Sequence, residues 1–354
     1  MGGEAVLTGE NADGLVGAKI HWFLQLPVSA LFRGVKPVLI PEVFYHIQWF
    51  WTMGGSWIFP PSQAAELEEI HKEPIPPMET RPLQSLSGCD KMAVSELFQE
   101  DGMTIFIETD LEGISGVSTI SMVAESDRYA RERLMADTNA AVRGAFEGGA
   151  DRVIVLDGHG GGHNFIPELL DPRAETGTES EAARADACFI IGMHAMAGTQ
   201  NAFLDHTQNS VRWHDYRING RNYGESGQLA AYAGAFGVPL VMVSGDFAAC
   251  AEALCLFDRP EVAVVKTAIG RNRAECLPVE EAERRIFEAA RRAVLRIGTF
   301  RPFRVTLPAV IEVDFNRCDY ADDAMQYNPS LERTAPRTVR KVLGEIRSYG
   351  DLLI

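Results

Sequence analysis

From Met103 onward the chain alternates short apolar runs, bounded by glycine or polar residues, with longer stretches of helical period. The runs TIFIE (104–108), VIVL (153–156), FII (189–191), PLVMVSGD (239–246) and VAVVKTAIG (262–270) predict buried strands. Between the first two, DRYARERLMADTNAAVRGAFEGGA sets Leu134, Ala141, Val142, Ala145 and Phe146 at helical spacing, and Gly148 with Gly149 supplies the stop. It reads as a crossover helix. AACAEALCL predicts another helix, and VEEAERRIFEAARRAVLRIG, apolar at Val279, Ala282, Ile286, Ala290, Val294 and Ile297, a long amphipathic one. Beyond residue 300, RVTLPAVIEVDF reads as a strand and RTVRKVLGEIRSYGDLLI as a helix. The alternation predicts an α/β fold: a mostly parallel or mixed sheet flanked by helices, with a smaller C-terminal α+β part.

The first 102 residues follow no such pattern. Residues 17–61 hold Trp22, Trp49, Trp51 and Trp57 among prolines and apolar stretches, whereas 62–102 are polar and proline-rich. Val43 to Ala65 carries no Asp, Glu, Lys or Arg and is long enough to span a bilayer. His46, Gln48, Gly54, Gly55, Pro60 and Pro61 make it a poor spanning helix, and the opening MGGEAVLTGENADG lacks the form of a signal peptide. Three parts are expected: 1–102, an N-terminal extension that is either dispensable or not native, with Met103 a candidate start, or an ordered accessory segment; 103–300, an α/β core; and 301–354, a smaller α+β segment completing the fold.

Composition narrows the function. With 354 residues, 46% hydrophobic and 23% charged, the chain has the make-up of a soluble globular enzyme. A net charge of −16 opposes a phosphate backbone, so nucleic acid is not an expected partner. Six cysteines without a CxxC pair fit reduced thiols in a cytoplasmic protein, and none has a histidine placed beside it to make a nucleophile.

The candidate chemistry lies at the ends of the predicted strands, where ligands of open α/β sheets bind. Asp110 and Glu112 follow the first run; in an extended strand such i, i+2 residues face one side, provided the strand continues that far. Asp157, His159 and His163 end the second run, His194 ends the third, and Glu225 stands in RNYGESGQLAAYAG before an Ala-rich helix. Carboxylates and imidazoles are ligands for zinc or a similar divalent ion, and Asp110, Glu112, His159, His194 and Glu225 exceed the three protein ligands of a mononuclear catalytic zinc site. The surplus predicts two divalent metal ions per subunit, bridged by Asp110, a pairing that activates water and polarises a carbonyl. Each donor also has a plainer role, as a helix cap, a charge near a helix N-terminus or a loop histidine bonded to backbone. The GHGGGHN loop could instead cradle phosphate, although it lacks GxGxxG and a P-loop lysine. His163 is either a partner of a ligand or a surface residue. His206, in NAFLDHTQNS, is the expected catalytic acid or base.

Through DLEGISG, DGHGGGHN, GMHA, DHT, GESG, GVPLVMVSGD and VKTAIGRNRAECLP, the chain from Met103 to near its end resembles the zinc-dependent D-aminopeptidase family of dipeptide-operon peptidases, family M55. Carried over by position, the resemblance implies a dinuclear zinc centre on Asp110, Glu112, His159, His194 and Glu225, with His206 catalytic. It implies an α/β fold and a ring-shaped homo-oligomer, commonly a decamer, with active sites facing an inner channel. The activity implied is release of N-terminal residues, often of D-configuration, from short peptides. Phe247 departs from a frequent second acidic residue of that family. Alternative readings of the same centre are an amidase acting on small non-peptide amides and a noncatalytic, metal-containing peptide-binding protein.

Overall fold

The computed structural model describes residues 102–123 and 127–354, together with strands β1 (Phe50–Trp51) and β2 (Trp57–Ile58), which pair antiparallel. The chain divides into units Met1–Gln48 and Trp49–Ile354, and the architecture below belongs to the second. The expectations for the rest of the 1–102 extension, on spanning, order and start site, lie outside the described residues.

In chain order the core runs β3 (Thr104–Thr109), α1 (Arg128–Glu147), β4 (Arg152–Asp157), β5 (Ala174–Thr176), β6 (Ala187–Met193), β7 (Trp213–Ile218) and β8 (Arg221–Asn222). Then come α2 (Glu225–Ala235), β9 (Leu240–Asp246), α3 (Phe247–Leu256), β10 (Glu261–Gly270), β11 (Arg273–Cys276) and α4 (Val279–Leu295). The chain closes with β12 (Ala309–Phe315), α5 (Cys318–Tyr327), β13 (Glu332–Ala335) and β14 (Thr338–Leu343). The expected strands and the three expected core helices are all present.

The main sheet has the order β11-β10-β9-β6-β3-β4-β5, parallel throughout except for the antiparallel β10–β11 edge, so it is mixed. Alternation along β3 separates its two faces. Ile105 and Ile107 pack with Leu134 and Val142 of α1 and Ile286 and Ala290 of α4, whereas Phe106 joins Leu229 and Ala233 of α2 and Ile311 and Val313 of β12. Helix α1 begins where the Asp127 side chain accepts the Ala130 N–H, and it stops at Gly148 as the sequence predicts.

A second, antiparallel sheet has the order β13-β14-β12-β7-β8. It draws β7 and β8 from between β6 and α2, pairing β7 with the C-terminal strand β12, Val313 opposite Tyr216, and β8 with β7 at the edge. Arg217 donates from Nη1 to Asp215 of its own strand at 2.7 Å and to Asp314 across that seam at 2.9 Å. The helix expected over 337–354 is not formed. Thr338–Leu343 is strand β14, followed by a short turn of 3-10 helix at Tyr349–Leu352. Apolar residues at 339, 342 and 343 suit either period, and pairing with β12, which buries Val339 opposite Val313, decides for the strand.

Candidate metal centre

Parallel pairing sets the ends of three strands level: Thr109 lies opposite both Asp157 of β4 and Ile191 of β6. The donors follow immediately. Because β3 stops at Thr109, Asp110 and Glu112 do not share a face of a continuing strand; a turn, not the pleat, brings them together. The Asp110 N–H donates to Ile191 O at 2.8 Å and the Gly113 N–H to Gly192 O at 2.7 Å, clamping the turn onto the end of β6. Gly192 has φ 82, and a Cβ there would lie 2.2 Å from Asp110 O, so no other residue allows this approach. Below the turn, buried Lys266 of β10 donates from Nζ to Glu112 O at 2.7 Å and to Val117 O at 2.6 Å. Ser115 is tied by its N–H and hydroxyl to the Asp137 carboxylate of α1.

His159 stands at the head of a loop in which Gly160, Gly161, Gly162 and His163 all have positive φ, which explains the run of glycines. The Asp157 carboxylate accepts the N–H groups of Asn164 and Phe165 and the Asn164 side-chain amide, closing the loop. These amides are engaged by a carboxylate of the protein, an arrangement for presenting His159 rather than for binding phosphate. His163 belongs to neither donor group described below.

His194 directly follows β6. Its Nδ1 lies 3.0 Å from Ala195 O, and since a carbonyl only accepts, Nδ1 carries the proton and Nε2 faces the centre. His206 repeats the device: Nδ1 is 2.8 Å from Leu204 O, and Nε2 points inward, 4.0 Å from Glu112 Oε1 and 3.9 Å from Glu225 Oε1. The two imidazoles stack at 3.9 Å. Glu225 opens α2, so the helix sets its direction, and its Oε1 accepts the Gln208 N–H at 2.7 Å.

Two donor groups result, Asp110–Glu112–His159 and His194–His206–Glu225, each with its ligand atoms within 4.8 Å of one another. Asp110 joins them. Its Oδ1 lies 3.0 Å from His159 Nδ1, and its Oδ2 lies 3.4 Å from His194 Nε2. His194 Nε2 is also 3.3 Å from Glu225 Oε1, and His159 Nδ1 is 2.9 Å from Glu112 Oε2. All five expected ligands and His206 therefore meet at one place.

The charges there are strongly coupled. Burial opposes charge on His159, but its bond to Asp110 and the Coulombic attraction of Asp110 and Glu112 outweigh it and push the imidazole up to about 11. Burial opposes charge on His194 too, and Glu225, Asp110 and Glu112 outweigh it, holding that imidazole well above its ordinary value. Burial would raise Asp110, yet its bond to His159 and the charges of His194 and His159 keep it below the ordinary carboxylate range. Glu225 is lowered in the same way, against burial, by His194.

These contacts leave atoms unsatisfied. Among the described residues, Asp110 Oδ2, Glu112 Oε2 and His194 Nε2 are buried without a hydrogen bond, because their neighbours lie at ion-pair distance but not in hydrogen-bond geometry. Buried orphans aimed at one point are what a donor set for a divalent cation presents.

Sequence reasoning passed over Glu108. It is buried, its Oε2 lacks a partner, and burial together with the charges of Glu225 and Asp110 pushes its carboxyl up to about 8. The signal was available: acidic residues at 108, 110 and 112 recur every second position. Lys266 was hidden inside an apolar strand pattern that gave no sign of its two carbonyl acceptors.

The architecture and donor set define a class: an α/β protein with carboxylates and imidazoles, the ligands of hydrolytic metal sites, gathered at the carboxyl edge of its sheet. The D-aminopeptidase model of peptidase family M55 matches residues 103–350, and the chain belongs to this family. It is a peptidase, hence a hydrolase. The chain is 30% identical over 265 residues to a D-aminopeptidase of Bacillus subtilis strain 168, a match covering 71% of this chain and 96% of the relative. Its structure is similar, with a TM-score of 0.67 and 26% identity, to the zinc-dependent D-aminopeptidase DppA of Bacillus subtilis, a self-compartmentalizing protease. That likeness covers 71% of this chain and 95% of DppA. Among the described residues, no helix is long and apolar enough to cross a membrane.

Proposed function

We propose that this protein is a zinc-dependent aminopeptidase that releases N-terminal residues, D-residues included, from short peptides. Asp110, Glu112, His159, His194 and Glu225 would hold two zinc ions, with Asp110 as the shared ligand. The observation that carries this reading is the Asp110 carboxylate, with one oxygen turned to His159 and the other to His194. The buried orphan atoms around it support the same reading. When bound, the metals supply Lewis acidity, lowering the pKa of a water and polarising the scissile carbonyl.

The protein's own residues supply proton transfer and orientation. Hydrogen bonding of Nδ1 to Leu204 O fixes the His206 tautomer, so Nε2 is the atom that stabilises the developing oxyanion or hands a proton to the departing amine. Stacking on His194 holds the His206 ring in that orientation. His206→Ala is expected to lower kcat by about 10²–10⁴-fold. Metal content, measured by elemental analysis, should be unchanged.

The reading extends to a catalytic unit over 103–300 completed by 301–354, to cytoplasmic action, and to a homo-oligomeric ring in the form of a decamer. Self-compartmentalization of the DppA relative supports the assembly. A panel of D- and L-dipeptides, amino-acid amides and simple amides, assayed with zinc-loaded and chelator-treated protein, tests the whole. Zinc-dependent cleavage of dipeptides is expected. Turnover of simple amides alone would replace the reading with an amidase, and peptide binding without product would replace it with a binding protein.

A further inference from the structure

Resting on the aminopeptidase reading, we infer that Arg271 is a specificity-determining residue that receives the terminal carboxylate of the substrate, which makes short peptides with a free carboxyl end the substrate class. A cleft of about 310 Å³ opens over the site, lined by Glu112 and His206, by Ile120, Val123 and Leu204, and by Arg271 with Ser121 and Ser210. This is the small end of the range for ligand pockets and suits a peptide of two or three residues rather than an extended chain.

Arg271 sits in the turn between β10 and β11, and it is the permanent cation among the lining residues. One edge of its guanidinium is anchored. Nε meets Asp205 Oδ1 at 2.9 Å, Nη2 donates to Asp205 O at 2.9 Å, and Nη1 reaches Asn272 Oδ1 at 3.3 Å. The backbone is fastened as well, by the Leu204 N–H donating to Arg271 O at 2.7 Å. A guanidinium has five N–H donors, so this anchoring fixes its plane while leaving donors on Nη1 and Nη2 for another acceptor. The side chain remains 45% exposed, reachable by a ligand.

The electrostatic setting gives this cation its role. The chain carries a net charge of −16, and the Glu112 carboxylate lines the cleft together with Arg271. An Arg fork pairs with a carboxylate in two parallel hydrogen bonds, and Arg271 is the lining cation placed to offer them to the terminal carboxylate of a peptide. Asp205, which holds Arg271, immediately precedes His206. The carboxylate receptor and the proton-transfer residue are thus anchored on one short segment, fixing the span from the reacting end of the peptide to its terminus.

The test uses the zinc-loaded full chain and paired substrates, D-Ala-D-Ala with D-alanyl-D-alaninamide and the corresponding L,L pair. The wild type is expected to prefer the free acid. Arg271→Gln should lower kcat/KM for the acid about 10–100-fold, mainly through KM, the range for losing a charge-assisted hydrogen bond. The amide should change by less than about threefold, and Arg271→Lys should recover part of the loss. Equal losses on acid and amide would mean that Arg271 acts only by holding Asp205 and His206, which overturns the proposal. No loss on either would overturn it as well, leaving the aminopeptidase reading intact. A wild type that cleaves none of the four compounds would bring down that reading and this inference with it.

Discussion

Asp110→Asn is expected to reduce kcat/KM at least about a thousandfold, equivalent to about 4 kcal/mol of transition-state stabilisation. The substitution keeps the size of the side chain and one carbonyl oxygen but removes the negative charge that faces both donor groups. An amide cannot neutralise two cations, and its nitrogen is not a metal ligand. Zinc retained after gel filtration should fall to one ion per subunit or fewer. The fold should survive, because the turn is clamped by main-chain bonds to Ile191 and Gly192 that the substitution leaves in place. A folded Asp110→Asn protein with full zinc content and full turnover would refute the bridging role.

Zinc affinity should rise steeply with pH, about tenfold per pH unit for each proton displaced. The metal-free centre holds itself together with protons. Because the folded pKa of His159 is raised from 6.5 to about 11, its contribution to stability is fully present below about 6.5 and is lost as pH rises through 11. His194 has the same sign. Asp110 and Glu225 have the opposite one: their contributions are present above the ordinary carboxylate range and are lost as pH falls through their lowered values. Zinc requires neutral imidazoles, so it takes over as the metal-free pairing weakens. The rise in Tm on adding a fixed excess of zinc should therefore grow from about pH 6 to about pH 9. Calorimetry in buffers of different ionisation enthalpy should show proton release on binding, and an affinity independent of pH would contradict the account.

How legible the centre was depended on whether each signal was local. Histidines at strand ends could be read because an apolar run, a glycine and a donor lie within a few residues, and His159 and His194 stand where that reading puts them. The run of glycines after His159 announced a turn, and the positive φ values at 160–163 are its cause. Glu112 comes beside Asp110 by another route than the pleat, since β3 ends at Thr109 and the turn against β6 brings the two together. The C-terminal segment 337–354 was misread because its short apolar pattern suits two periods, and only a partner strand resolves such a tie.

What the sequence by itself determined was local: the strand and helix periods, the glycine stops, the acidic balance, and the donors carried at the strand ends. Only the tertiary structure decided that donors spread from position 110 to position 225 would surround one point. Convergence depends on the parallel register that levels the ends of β3, β4 and β6, on the close backbone approach at Gly192, and on the hairpin turn that delivers Arg271 to the cleft. Those are relations between distant segments, set by which faces bury together and which backbone groups pair, and no window of neighbouring residues contains them.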